Sequence, residues 1–192
     1  MKSPNKLGHV VISTPNVERA RVWYCEVLGA RVVYERLPVL SFIAYDDEHH
    51  RLGFSQATTG APVDRKGTAL HHIAFFLDSV RDLLRNYVEL KEKGILPTYG
   101  INHGTVLSLY YSDPDGNGVE FGVDRFPNAA ETQVFIDANF DRNPIGVSID
   151  PNKLVAMMAA GASDEELLFY DYDAPMAAPK KLQDALRDDR PR

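Results

Sequence analysis

Three residues of metal-binding type stand in short apolar segments of the chain: His9 in GHVVIS, His72 in HHIAFF and Glu120 in GVEFG. Imidazole nitrogens and carboxylate oxygens are ligands for divalent first-row metals. A carboxylate in an apolar strand is costly unless it is paired or bound to a metal, so Glu120 is the most informative of the three. The lone Cys25 excludes a cysteine-rich zinc site and an intramolecular disulfide, so a metal must be held by His, Asp or Glu.

His71 and His72 are adjacent, and an internal repeat selects between them. The repeat has a period of about 60 residues. Overlaying GHVVIS on HHIAFF sets His9 opposite His72 and Gly8 opposite His71. Alternate residues of a strand face the same side, so only one of the two histidines shares the orientation of His9. The repeat therefore predicts His72 as the ligand.

The final segments of the two repeats also overlay, RLGFS (51–55) on GVEFG (118–122), which sets Gly53 opposite Glu120. The position that would supply a fourth ligand is therefore bare. Two imidazoles and one carboxylate leave the other positions of an octahedral metal free, as in non-haem Fe(II) sites that activate oxygen. Mn(II) accepts the same ligands, so the ligand types do not separate the two metals.

Each repeat predicts a strand, a helix and three further strands. The first unit is predicted to contain a strand at 9–13, a helix from the cap Asn16 to the stop Gly29, and strands near 31–35, 39–46 and 50–56. The second is predicted to contain a strand at 72–77, a helix at 80–93 capped within Asp78-Ser79 and stopped by Gly94, and strands near 96–99, 105–111 and 118–123. This order indicates an α+β fold with two pseudo-symmetric βαβββ units.

Residues 125–192 do not form a third copy. They predict amphipathic helices at 128–140 and 151–160, a loop NPIGVSIDP between them, a capping box from Ser163 to Glu166, and a loose polar end. We expect one domain over 1–124, with units of about 7–57 and 70–124, and a helical C-terminal extension over 125–192 packed on it.

The composition excludes several kinds of partner. The chain has 192 residues, 44% of them hydrophobic and 25% charged, with a formal net charge of −6, which disfavours nucleic acid or an anionic membrane. No apolar stretch approaches the roughly 20 residues that span a bilayer. The start MKSPNKLGHVVIST has no apolar signal-peptide segment, so we expect a cytoplasmic protein.

The segment DPDGNGVEFGVD (113–124) loosely matches an EF-hand loop. The apolar strand pattern VLSLYY precedes it where a calcium-binding loop needs a helix, and Glu120 occupies a position where an apolar residue belongs. A β-turn built on Asp-Pro-Asp-Gly is the better interpretation.

The motifs GHVVIS, AxVWYxxVLGA, LHHIAF and YYSDPDGNGVEFG resemble the vicinal oxygen chelate superfamily, a glyoxalase-like group, over about residues 6–124. Within it the chain resembles the type I extradiol catechol dioxygenases, especially their small one-domain biphenyl-2,3-diol 1,2-dioxygenase type. The resemblance implies Fe(II), a catechol-type aromatic diol such as 2,3-dihydroxybiphenyl and O2, with meta ring cleavage in aromatic hydrocarbon catabolism. Many enzymes of the class have four units, whereas this chain has two.

The resemblance also assigns site residues. The metal ligands of the family match His9, His72 and Glu120, and its oxygen-pocket acid or base matches His50 in HHRLGF. Its conserved tyrosine matches Tyr110, and its further pocket histidine matches His103. Without the resemblance, His49-His50 after YDDE would be interpreted as a solvated turn, and one of Tyr110 and Tyr111 as core.

Two alternative functions remain at this point. A divalent-metal lyase, isomerase or thiol transferase of the glyoxalase type would usually need a fourth ligand or a cation site for an anionic substrate. A non-catalytic protein that binds an aromatic ligand would normally lack the metal ligands. For either, as for the dioxygenase, we expect a homo-oligomer that buries exposed sheet edges.

Overall fold

A computed structural model describes residues 3–57 and 70–178. The elements of the two repeats are β1 (Val10–Thr14), α1 (Val17–Leu28), β2 (Arg31–Arg36), β3 (Leu40–Ala44) and β4 (Leu52–Gln56), then β5 (His72–Phe76), α2 (Val80–Glu92), β6 (Tyr99–Asn102), β7 (Val106–Ser112) and β8 (Gly118–Asp124). The extension contributes α3 (Ala129–Asn139), β9 (Val147–Ser148), α4 (Pro151–Ala159) and α5 (Asp164–Leu167). The predicted order of strand, helix and three strands therefore occurs twice.

Two sheets carry the strands. The first has the order β1-β4-β3-β2, and the second has the order β5-β8-β7-β6-β9. In the first sheet β1 runs parallel to β4, with Val10 opposite Leu52. The second sheet repeats the order of the first and adds β9 at its edge. The predicted α+β class with two βαβββ units is confirmed.

The chain divides into two compact units. One contains β1 to β4 and α1 together with the segment Ser112–Gly118, and the other contains the remaining elements from β5 onward. This division differs from the predicted boundary at residue 124, which stays a prediction. Among the described residues, no helix is long and apolar enough to cross a membrane.

The helices of the repeats begin and end where their capping residues predict. The Asn16 side chain accepts a hydrogen bond from the Arg19 N–H at 2.9 Å, and Gly29 ends α1 in the left-handed conformation with φ of 59°. Ser79 caps α2 by accepting from the Asp82 N–H at 3.1 Å. The apolar face of α2 is buried at Val80, Leu83, Leu84, Tyr87 and Leu90.

The turn between β7 and β8 is the predicted aspartate turn. The Asp113 carboxylate accepts hydrogen bonds from the N–H groups of Asp115 at 2.9 Å and Asn117 at 2.7 Å. Tyr24 donates its hydroxyl to the same carboxylate at 3.1 Å. These contacts satisfy the buried Asp113 within the protein.

The C-terminal extension lies against the second repeat. β9 pairs with β6, and the Tyr87 hydroxyl of α2 donates to the Asn152 side chain at 2.9 Å. Arg81 forms an ion pair with Asp164 at 2.6 Å. A small apolar cluster of Phe135, Val147 and Tyr170 is buried within the extension. The end of the tail after residue 178 lies outside the described residues.

Two local predictions are wrong. The strand expected at 96–99 is Tyr99–Asn102, because Pro97 cannot donate a ladder hydrogen bond and the pairing with β7 starts at Tyr99 opposite Tyr110. The segment expected as a loop between the extension helices contains β9. Its pattern is too short to indicate a strand by itself, since it is defined by its partner β6.

Candidate metal centre

His72 and Glu120 come together in the second sheet, where β5 and β8 are neighbours. The His72 Nε2 lies 2.8 Å from a carboxylate oxygen of Glu120, Oε2. Glu120 is buried, with 6% of its surface exposed, whereas the His72 side chain is 32% exposed. A buried carboxylate beside an imidazole that reaches solvent is suited to binding a cation.

Ser108 holds the other oxygen of the carboxylate. Its hydroxyl donates to Glu120 Oε1 at 2.5 Å, and both residues are buried. This hydrogen bond fixes the carboxylate and leaves Oε2 directed at His72. Ser108 was not among the predicted site residues, although it lies two positions before Tyr110 on β7, and this spacing places both on one face.

Tyr110 and His103 form a second pair beside the first. The Tyr110 hydroxyl lies 2.9 Å from His103 Nε2, and the ring of Tyr110 packs edge-on against that of His72 with centroids 5.3 Å apart. Burial, and next the negative charge of Glu120, raise the pKa of Tyr110 well above its ordinary value. Tyr110 is therefore a phenol, and a hydrogen-bond donor, at neutral pH.

His103 is fixed on its other side by the extension. Its Nδ1 lies 2.5 Å from the Ile145 carbonyl oxygen. Burial lowers the pKa of His103 and outweighs the Ile145 carbonyl, which favours the protonated ring. The neutral imidazole is thus the resting form.

Tyr99 is another residue that the sequence analysis did not single out. It pairs with Tyr110 across β6 and β7, and the two rings stack with centroids 4.5 Å apart. Tyr99 is 44% exposed, so its ring offers an aromatic surface next to the Tyr110 hydroxyl. The position of Tyr99 opposite Tyr110 is known only from the register of the two strands, which the sequence does not give.

His9 and His50 lie together in the first unit. Their ring centroids are 4.4 Å apart, and His50 also stacks on Phe42 at 4.8 Å. Burial, followed by the nearby imidazoles of His49 and His9, lowers the pKa of His50. Both predicted residues stand just before their strands, since β1 begins at Val10 and β4 at Leu52.

Gly53 lies in β4. The position that a side chain would take at this residue faces other residues of the first unit. A Cβ at this position would meet the Phe42 ring at 3.2 Å and Val11 at 3.3 Å. Phe42 and Val11 therefore lie beside Gly53 within this unit, and the role of Gly53 at a metal stays a prediction. The glycine allows the Phe42 ring to lie against the sheet beneath His50.

The structure brings together two of the three predicted metal ligands, His72 and Glu120. Within residues 3–57 and 70–178, no three His, Cys, Asp or Glu side chains are gathered as a group that could hold a metal ion. His72 and Glu120 form one pair, and His9 belongs to the other unit. His71, the other member of the doublet, is exposed and precedes β5.

The donors of the His72–Glu120 pair fit a first-row divalent metal. Nε2 and Oε2 lie 2.8 Å apart, an ordinary hydrogen-bond separation, so both donors are within reach of one small ion. An imidazole and a carboxylate whose second oxygen is already hydrogen-bonded are ligands that Fe(II) and Mn(II) accept.

Comparison with known proteins places the chain in a family. Residues 6–121 match the Glyoxalase/Bleomycin resistance protein/Dioxygenase superfamily, and the chain belongs to it. The resemblance predicted from the motifs is thereby confirmed.

The chain is similar over most of its length to two curated proteins of Rhodococcus globerulus. It is 43% identical to biphenyl-2,3-diol 1,2-dioxygenase 2, over 84% of this chain and 85% of that protein. It is 38% identical to biphenyl-2,3-diol 1,2-dioxygenase 3, over 84% of this chain and 86% of that protein.

Solved structures support the fold. A glyoxylase/bleomycin resistance protein/dioxygenase domain from Frankia sp. EAN1pec superposes with a TM-score of 0.54 at 19% identity, over 66% of this chain and 96% of that one. At this identity the likeness concerns the fold alone.

Proposed function

We propose that the chain cleaves the ring of 2,3-dihydroxybiphenyl, or of a related substituted catechol, with O2 in an Fe(II)-dependent extradiol reaction. The observation that carries the proposal is the His72–Glu120 pair at 2.8 Å with the Tyr110–His103 pair beside it. The ring-cleavage dioxygenase class agrees with the two Rhodococcus relatives and the superfamily. The proposal goes beyond this class by naming the metal and the diol.

The proposed metal ligands are His72, Glu120 and His9. The first two have the geometry described above, and His9 is included because the repeat puts it at the position equivalent to His72. Fe(II), with Mn(II) as the alternative, would supply coordination positions for the two catechol oxygens and for O2. Ser108 would hold the Glu120 carboxylate in its binding orientation.

Tyr110 and His103 would handle the proton that a catechol loses on binding a metal. The phenol oxygen of Tyr110 can accept a hydrogen bond from the catechol hydroxyl while its own proton faces His103 Nε2 at 2.9 Å. Tyr99, stacked on Tyr110, would contact the aromatic ring of the substrate.

His50 is proposed as the acid or base on the oxygen side of the reaction. Its contact with His9, a proposed ligand, supports this role. The Phe42 ring stacked on His50 restrains the orientation of the imidazole. A histidine is suited to donating a hydrogen bond and then a proton near neutral pH.

The experiment is ring cleavage by protein reconstituted with Fe(II) without air. Mixing with 2,3-dihydroxybiphenyl, catechol or 3-methylcatechol in aerated buffer should yield the yellow ring-fission product, with one O2 consumed per diol. Protein loaded with Zn(II) is the control and should yield none. Iron binding without consumption of any diol would refute the proposal.

Two variants separate metal binding from proton handling. Glu120→Ala should abolish iron retention, whereas His50→Ala should retain iron and slow turnover by about 100-fold, as expected for loss of a general acid. Asp47→Ala, an exposed residue three positions before His50, is the matched control. Undiminished iron retention in Glu120→Ala would remove Glu120 from the ligand set.

A further inference from the structure

His103 is held by the C-terminal extension through one ring nitrogen. A carbonyl oxygen only accepts hydrogen bonds, so the His103 Nδ1 that lies 2.5 Å from Ile145 O must carry a proton. In the neutral ring Nε2 then has no proton and is an acceptor. Only the Tyr110 hydroxyl, 2.9 Å from Nε2, can then donate that hydrogen bond, and the Glu120 carboxylate is the other acceptor within its reach.

Asn143 shapes the loop that presents the Ile145 carbonyl. Its side-chain oxygen accepts from the N–H of Ile145 at 3.2 Å and of Gly146 at 2.8 Å, and its amide donates to the Gly146 carbonyl at 3.0 Å. Three hydrogen bonds from one side chain fix the backbone between Asn143 and Gly146, which we call the Asn143 loop. Loss of this side chain would release the Ile145 carbonyl.

The Asn143 loop lies directly on the backbone of His103. Gly146 has φ of +107°, and a Cβ there would be 2.3 Å from the Asn102 carbonyl oxygen and 2.7 Å from the His103 Cα. Only glycine permits an approach this close. The loop therefore contacts His103 both at the ring and at the main chain.

Asn102, the residue before His103, is held by another part of the extension. Its amide donates to the Phe169 carbonyl at 3.0 Å, and its side-chain oxygen accepts from the Gly104 N–H at 2.8 Å. In addition, Asn102 pairs with Val147 between β6 and β9. The extension thus fixes the backbone of His103 as well as its ring.

We propose that the Asn143 loop is a positioning element for the reaction, which sets the tautomer of His103 so that Nε2 receives a proton through Tyr110. The proposal rests on the proposed function. The catechol hydroxyl would give its proton to the Tyr110 oxygen as Tyr110 gives its own to His103 Nε2. The products are a catecholate and a His103 imidazolium, whose Nδ1–H is still bonded to Ile145, so protons and charge balance.

The first test reads the tautomer in metal-free, full-length protein by NMR of nitrogen-15-labelled histidine, with His103→Gln assigning the signals. Wild-type His103 should show Nδ1–H with an unprotonated Nε2. Asn143→Ala should convert a large part of the signal to the Nε2–H form, and Asn143→Asp, which keeps the acceptor, should restore Nδ1–H. Asn152→Ala, which loosens the extension at Tyr87 without touching the loop, should leave the tautomer unchanged.

The second test measures cleavage by the iron-loaded variants. Asn143→Ala should lower kcat/KM for the diol by about 10-fold or more, a part of the roughly 10²- to 10⁴-fold that general acid–base catalysis contributes. The same substitution added to His103→Gln should have no further effect, because the loop acts through that ring. A His103 that keeps its Nδ1–H in Asn143→Ala overturns the inference, whereas wild-type protein without ring cleavage overturns the proposed function and leaves the NMR result standing.

Discussion

At the residue scale, the geometry of the candidate site depends on the two partners of the Glu120 carboxylate. One oxygen faces His72 and the other accepts from Ser108. The period-two spacing of strands and the internal repeat predict His72 and Glu120, because both patterns can be read from the types of side chain along the sequence. The Ile145 carbonyl was not predictable, since every residue carries a carbonyl and this one lies 42 positions from His103.

Ser108→Ala should weaken metal binding while leaving the ligands intact. Without the hydroxyl, Glu120 Oε1 loses a buried hydrogen bond and the carboxylate is free to rotate away from His72. Removing such a partner typically lowers metal affinity by about 10- to 100-fold. Competition against a chelator without air measures this change. Ser112→Ala, at the exposed end of the same strand, is the control, and equal affinities of the Ser108→Ala variant and wild type would contradict the prediction.

Cys25 should react slowly with thiol reagents in the folded protein. Burial raises the pKa of the Cys25 thiol, so less of the reactive thiolate is present at pH 8 than for a free cysteine. The rate of colour release from a disulfide reagent measures this effect, with urea-unfolded protein as the control. Equal rates in the two states would show that the thiol is unprotected.

At the element scale, helix caps and strand partners determine which element bounds could be predicted from the sequence. The bounds of α1 and α2 were predicted from Asn16, Gly29 and Ser79, because a helix end has a local chemical signature. β6 and β9 have only four and two residues, and their limits come from pairing with each other and with β7. Local sequence does not contain that information.

Gly146→Ala should destabilise the protein more than Gly161→Ala. Both glycines have positive φ, 107° and 90°, and an alanine in the left-handed region costs about 1–2 kcal/mol. At Gly161 a Cβ meets nothing within 4 Å, whereas at Gly146 it would lie 2.3 Å from the Asn102 carbonyl oxygen. Urea unfolding measures the difference, and equal losses for the two variants would contradict the described approach of the loop.

The cap of α2 should make the stability of the protein depend on pH below about 4. The Ser79 hydroxyl, and then Arg85, lower the pKa of Asp82 below 3.8. A carboxyl with a lower pKa in the folded state stabilises that state above its unfolded pKa, and this contribution disappears as the pH falls through the folded pKa. The free energy of unfolding of Asp82→Asn should therefore approach that of wild type as the pH falls below the pKa of Asp82 in the folded protein, and fall short of it at pH 7. A difference that stays constant with pH would exclude this role.

At the scale of the whole molecule, the similarity to the relatives extends beyond the superfamily core. The family match covers residues 6–121, whereas the alignment to the first Rhodococcus protein covers 84% of the chain and so includes part of the extension. The paired units were predictable from the repeat. The contact of the extension with His103 was not, because it depends on a loop whose position is set by distant partners.

The homo-oligomer stays a prediction. β2 forms one edge of the first sheet, and unpaired backbone at an edge favours pairing with another chain. Light scattering on eluting protein should give a multiple of 21.5 kDa. A mass of one chain at all concentrations would contradict it.

The order of strands in the second sheet makes the proposed metal site depend on folding. His72 and Glu120 are 48 positions apart in the chain, on the first and last strands of their repeat, yet those strands are neighbours. Contacts between residues so distant in sequence form late, after loop-closure entropy has been overcome. A chain in which β8 has not yet paired with β5 lacks the Glu120 half of the pair, so the proposed metal site is complete only after that pairing. Added metal should therefore slow unfolding more than it accelerates folding.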